Sequence, residues 1–195
     1  LYVTNGMNEF NLYSSENPYY TDPHSNEVKN VYMPVATKES NVFFVNQNGK
    51  LNNRSKESGV DLVGNSRSAA YLDFDNDGDL DLILNNYHEK AYFYRNELDA
   101  SRANSNWVKI KLIGNPGEGV SRDAIGARIV LYTSAGQKIW REVHSTIGYM
   151  SVHPKEQHIG LGGQSIDKLE IIWPNGEKQV VDTLALNRSH TIKQK

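Results

Sequence analysis

Apolar and polar residues alternate along most of this chain with a period of two, and no segment sustains a 3.6-residue apolar stripe. Trp107–Ile113 is the clearest case. Val108, Ile110 and Leu112 share one face, while Trp107, Lys109 and Lys111 share the other. The same pattern predicts strands over Ala127–Tyr132, Lys138–His144, Leu169–Trp173 and Gln179–Val181, with Pro174-Asn175-Gly176 turning between the last two. Earlier in the chain, short apolar runs predict strands at Leu1–Thr4, Val31–Val35, Val42–Val45, Ala69–Leu72, Leu80–Leu84 and Ala91–Asn96. Asn46-Gln47-Asn48-Gly49 is a turn in which glycine supplies a positive φ.

These elements predict an all-β protein in two parts. Residues 97–106 are polar and aperiodic, which marks a linker, so domains are expected over 1–103 and 104–195. The first reads as one or more blades of a partial β-propeller, with strands at short spacing and a faint repeat between residues 41–46 and 91–96. The second reads as a β-sandwich with both sheets facing one core.

Composition narrows the classes. A chain of 195 residues with 38% hydrophobic and 23% charged residues can bury a core. Its formal net charge of −2 supplies no basic field for nucleic acid. No apolar run approaches the roughly 20 residues of a membrane helix. The absence of cysteine excludes a disulfide scaffold and a thiol nucleophile. The opening Leu1-Tyr2-Val3-Thr4-Asn5-Gly6 reads as a strand end entering a turn, so the chain is expected to be cut from a longer protein, with any signal sequence upstream.

The densest chemistry lies in residues 69–86, where Asp73, Asp75, Asp77, Asp79 and Asp81 surround Gly78 and no Lys or Arg appears between Tyr71 and Glu89. Carboxylates on alternate positions of a tight loop suit a calcium ion, which takes six to eight oxygens at roughly 2.3–2.6 Å. The spacing places Asp73, Asp75 and Asp77 at positions 1, 3 and 5. Gly78 makes the turn, Asp79 offers its carbonyl, and Asp81 closes the site. It is not an EF-hand, because position 12 is Leu84 rather than a bidentate glutamate and the flanks read as strands.

Other motifs have plainer readings. His144, His153 and His158 could form a zinc site, but their spacing matches no zinc motif and His158 sits in what reads as a structural turn. The glycines at 114, 117 and 119 lead into a strand rather than opening a phosphate-binding helix. Asp123 with Arg128, and Arg141 with Glu142, read as exposed ion pairs. Trp140 shares a polar face with Lys138, Glu142 and His144. It is a candidate to stack on a sugar or, the preferred reading, to cover a domain boundary. Tyr19 and Tyr20 are candidate sugar contacts or, preferably, packing beneath a loop. The sequons at Asn53 and Asn187 fit chance in an Asn-rich chain.

Two stretches resemble known families. NVFFVNQNG, SAAYLD, FDNDGDLDL and YFYRNE make residues 41–97 similar to VCBS/FG-GAP propeller repeats. NWVKIKLIGN, SRDAIGARIVLY, Gly148-Tyr149-Met150-Ser151, HIGLGG and LEIIWPNG make residues 106–193 similar to an ASPIC/UnbV domain, with Ile159 where that family usually has Phe. The resemblance implies secretion or display at the cell surface, binding or adhesion rather than a defined reaction, and a fragment too short for a closed propeller. An association with RNA that the resemblance also carries is at odds with the net charge. The leading expectation is a non-catalytic, calcium-binding module that engages a glycan or a protein at a cell surface. The alternatives are a carbohydrate-active enzyme with a site between the halves, and a purely architectural terminal domain.

Overall fold

The computed structural model describes residues 1–5, 40–97 and 105–195, all of it β-structure and connections apart from one 3₁₀ turn at Pro116–Glu118. The strand expected at Val31–Val35, the tyrosines Tyr19 and Tyr20, and the boundary at 103/104 lie outside the described residues. The strands are β1 (Tyr2–Val3), β2 (Val42–Gln47), β3 (Lys50–Asn53), β4 (Ser66–Leu72), β5 (Asp81–Asn86), β6 (Tyr92–Tyr94), β7 (Asn106–Ile113), β8 (Arg128–Thr133), β9 (Lys138–Glu142), β10 (Gln157–Gly162), β11 (Ile166–Ile172), β12 (Lys178–Val181) and β13 (Arg188–Lys193). Among the described residues they form four open sheets and no closed barrel.

Two compact units emerge. The first comprises Leu1–Ala69 and Ile83–Tyr94, the second Ala70–Leu82 and Arg95–Lys195. The division falls inside β4 and β5, so the acidic loop between them belongs to the second unit.

In the first unit, β1-β2-β3 form an antiparallel sheet. Asn48 (φ 52°) and Gly49 (φ 82°) make the two-residue hairpin between β2 and β3, with both residues in the left-handed region that such a turn requires. The sheet β4-β5-β6 follows. Polar side chains hold this unit inside. Asn5 N–H donates to Asn41 Oδ1, Asn41 Nδ2 to Ser66 Oγ at 2.8 Å, Ser66 Oγ to Asn86 Oδ1 at 2.7 Å, and Asn86 Nδ2 to the Lys90 carbonyl. Asn41, Ser66 and Asn86 are buried, so each bond answers a desolvation cost.

The second unit contains two sheets, β10-β7-β13 and β12-β11-β8-β9. Both supply one apolar cluster. Val108, Ile110 and Leu112 of β7 join Ile159 and Leu161 of β10 and Ile192 of β13; Ile129, Leu131, Leu169, Ile171 and Trp173 come from the other sheet and its edge. The face assigned to Val108, Ile110 and Leu112 is therefore the buried one. β13 runs parallel to β7, pairing Arg188 with Val108 through Lys193 with Ile113, whereas β10 is antiparallel to β7.

Two strands escaped the alternation pattern. The stretch read as a HIGLGG turn is strand β10, and residues 188–193 form β13. β10 ends in glycines at 160 and 162, and β13 carries a single buried apolar residue, Ile192, so neither gives a period-two signal strong enough to stand out.

Candidate metal centre

The acidic loop is built around its own backbone. Gly78 N–H donates to Asp73 Oδ2 at 3.0 Å, and Asp79 N–H donates to Asp77 Oδ1 at 3.0 Å. Asn76 (φ 62°) and Gly78 (φ 98°) take left-handed backbone. A Cβ on Gly78 would fall 1.9 Å from the Trp107 indole nitrogen, so glycine is required there by conformation and by space. Leu84, the twelfth position, is wholly buried.

One carboxylate oxygen from each of Asp73, Asp75 and Asp77 lies within 4.8 Å of the other two. Asp73 is the deepest, with its side chain only 2% exposed. Its Oδ2 is bonded, but its Oδ1 is buried and meets no hydrogen-bond donor. Asp81 was expected to close the site as a ligand. Its Oδ2 accepts from Phe74 N–H at 2.8 Å and its Oδ1 from Asn96 N–H at 2.9 Å, and these bonds tie the loop's base together.

No cation lies within the loop's own stretch of sequence, but among the described residues two reach it in the fold. Arg95 reaches Asp75 at 2.8 Å, and Lys109 of β7 reaches Asp73 Oδ2 at 2.6 Å and Asn76 Oδ1 at 2.9 Å. Both cations come from beyond the stretch in which the sequence lacks them. Lys109 lies on the face of β7 opposite Val108 and Ile110, yet it is 4% exposed, and its amine sits 5.4 Å from the Trp107 ring centre. Alternation correctly placed it off the core but could not show that this face would also be covered.

Two of the histidines contact the loop and its flank. His158 Nε2 donates to the Gly78 carbonyl at 2.8 Å and stacks with Trp107 at 6.0 Å. His153 Nδ1 accepts from Tyr71 N–H, and its ring stacks on Tyr71 at 4.0 Å. His144 lies near Glu142. Burial pushes His158 below the ordinary histidine value, partly offset by the Gly78 carbonyl and by Asp73; burial also pushes His153 down. Asp123 pairs with Lys155 rather than Arg128, and that ammonium holds its carboxyl below the usual range. Arg141 donates to the Trp140 carbonyl, where a bond to Glu142 was expected. The glycine loop carries the 3₁₀ turn, with Gly114 packed so closely that a Cβ would lie 2.2 Å from the Ser121 carbonyl oxygen.

Trp140 pairs across β8–β9 with Val130, on the face away from Ile129 and Leu131, and is 55% exposed. With Arg128, Arg141 and Glu142 it lines an open hollow of about 250 Å³.

Residues 117–195 match the family described as ASPIC and UnbV. An ASPIC and UnbV domain occupies that stretch. The chain is also 31% identical over 114 residues to cartilage acidic protein 1 of Xenopus tropicalis and 30% identical over 114 residues to the human protein of the same name. Each match covers 58% of this chain and 17% of the relative, so the chain spans about a sixth of the length of these curated relatives. The ASPIC and UnbV stretch supplies β8 through β13, whereas Lys109 and Trp107, which touch the acidic loop, lie just before it. Among the described residues, no helix is long and apolar enough to cross a membrane.

Proposed function

We propose that this chain is a non-catalytic calcium-binding module of a secreted or cell-surface protein, in which Asp73, Asp75 and Asp77 hold the ion. Two observations carry the reading: Asp73 keeps a buried Oδ1 that meets no donor, and one carboxylate oxygen of Asp73 lies within 4.8 Å of oxygens of Asp75 and Asp77. A buried carboxylate oxygen with no partner is costly. A hard cation bound by carboxylate oxygens removes that cost, and loop carbonyls and water complete its shell. Asp81 contributes by anchoring the loop's base, and Asp79 by its place in the turn.

Calcium here is structural. Extracellular calcium modules commonly bind at Kd of about 10⁻⁴–10⁻³ M, so such a loop fills outside cells and stays largely empty within them. The word cartilage in the relatives' name fits an extracellular setting. We extend to the first unit the reading of a partial propeller of VCBS/FG-GAP type and to the second that of a sandwich. The partner is a glycan or a protein at the cell surface. Trp140, exposed over a hollow that Arg128, Arg141 and Glu142 also line, is the candidate contact for a sugar ring.

Thermal unfolding in EDTA and in excess calcium tests the proposal. At calcium about a hundredfold above Kd the ion adds about 2.7 kcal/mol, a rise in midpoint of about 5–10 °C for a chain of this size. The Asp75→Ala/Asp77→Ala variant loses that rise. An unchanged midpoint in the wild type removes the calcium reading.

A further inference from the structure

We infer that Lys109 is a fixed internal counter-cation of the acidic loop: it keeps the loop folded without metal and weakens calcium binding by the same carboxylates. The inference rests on the calcium reading above and concerns how that site is tuned.

Among the described residues, Arg95 and Lys109 reach the three clustered carboxylates, and their surroundings differ. Arg95 pairs with Asp75, but its side chain is 56% exposed. An exposed guanidinium can swing into water when a metal arrives, and such pairs contribute little. Lys109 has no such exit. Its side chain is 5% exposed, its amine is bonded to both Asp73 Oδ2 and Asn76 Oδ1, and the Trp107 ring stands beside it. A calcium ion must therefore share Asp73 with the ammonium, taking Oδ1 while Lys109 keeps Oδ2. Two like charges held on one carboxylate, one of them on a buried ammonium, repel. Without metal, the same ammonium offsets the repulsion among the aspartates. A loop designed for the tightest calcium binding would place an apolar or neutral residue at 109. A lysine there raises the calcium concentration at which the loop fills.

Calorimetric titration of calcium into the wild type, Lys109→Met and Arg95→Ala tests the inference, with unfolding midpoints recorded in EDTA and in calcium. Lys109→Met is expected to bind calcium at least about tenfold tighter, to melt below the wild type in EDTA, and to recover in calcium. Arg95→Ala is expected to stay within about twofold of the wild type. Lys109→Gln provides the same loss of charge with a polar side chain should methionine pack poorly. Calcium binding by the wild type that is unchanged or weakened in both Lys109 variants overturns the inference while leaving the calcium reading standing. So does failure of both variants to fold even in calcium, because the metal would then not replace the amine. Binding by the Lys109 variants alone supports the inference in its strongest form. No binding by any of the chains overturns the calcium reading, and the inference falls with it.

Discussion

The two units solve the problem of a dry interior in different ways. The second unit fills its interior with aliphatic side chains from two sheets, and Val108, Ile110, Ile129, Leu131, Ile159, Leu169 and Ile171 are all wholly buried. In the first, Leu84 is the sole buried hydrophobic residue among the described residues, and the buried places otherwise go to Gly64 and to the polar Asn41, Ser55, Ser66 and Asn86. Apolar burial is non-directional and tolerates small shifts. A relay of amide and hydroxyl groups fixes distances and directions, but every missing member strands a partner. Robustness to substitution is therefore expected to differ in kind as well as in size.

Truncation in the apolar cluster should have the largest effect. Leu169→Ala removes a fully buried side chain of β11 and is expected to cost about 2–5 kcal/mol. Denaturant unfolding measures the loss, and hydrogen exchange should show it in the amides of β8 and β11. Ser66→Ala in the polar relay is expected to cost about 1–3 kcal/mol, because Asn41 and Asn86 each lose a buried partner. If the loss instead matches that of Leu169→Ala, the relay matters as much as the aliphatic core. If it is negligible, water replaces the hydroxyl and the comparison loses its force.

The smallest effect concerns pH. His158 is held below its ordinary value of 6.5 chiefly by burial, so the folded state takes up a proton less readily than the unfolded chain. Its contribution is whole above about pH 6.5. It is lost as pH falls through the depressed value. His153 acts in the same sense. The midpoint should therefore drop between pH 7.5 and 5. His158→Gln, which can still donate to the Gly78 carbonyl, should flatten part of that slope; an identical slope in the variant would assign it to other groups.

Much of the second unit could be read from the sequence, because a half-buried strand writes its orientation into alternate residues. Val108, Ile110 and Leu112 gave that signal and occupy the core. Trp173, alternating with Leu169 and Ile171, is buried, and Trp140, on the polar face, is exposed. β13 was illegible because it is parallel to a strand far away in sequence and buries one apolar residue. The first unit was harder for a different reason. Asn and Ser read as loop residues, and nothing local distinguishes an exposed asparagine from Asn41, whose partner is Ser66. At the acidic loop the carboxylates and Gly78 were legible. Lys109 was not, since on β7 it looked like any solvent-facing lysine until Asp73 and Trp107 were seen against it.

The parallel pairing of β7 with β13 also sets an order of events. β7 is synthesised roughly eighty residues before the strand it must pair with. Until β13 arrives, one edge of β7 has no partner and β10 can cover only the other. Closing so long a loop costs entropy before any contact repays it, which slows folding. Completion of this sheet is therefore a late step in folding. A nascent chain halted after β12 would expose a strand edge open to pairing with its neighbours.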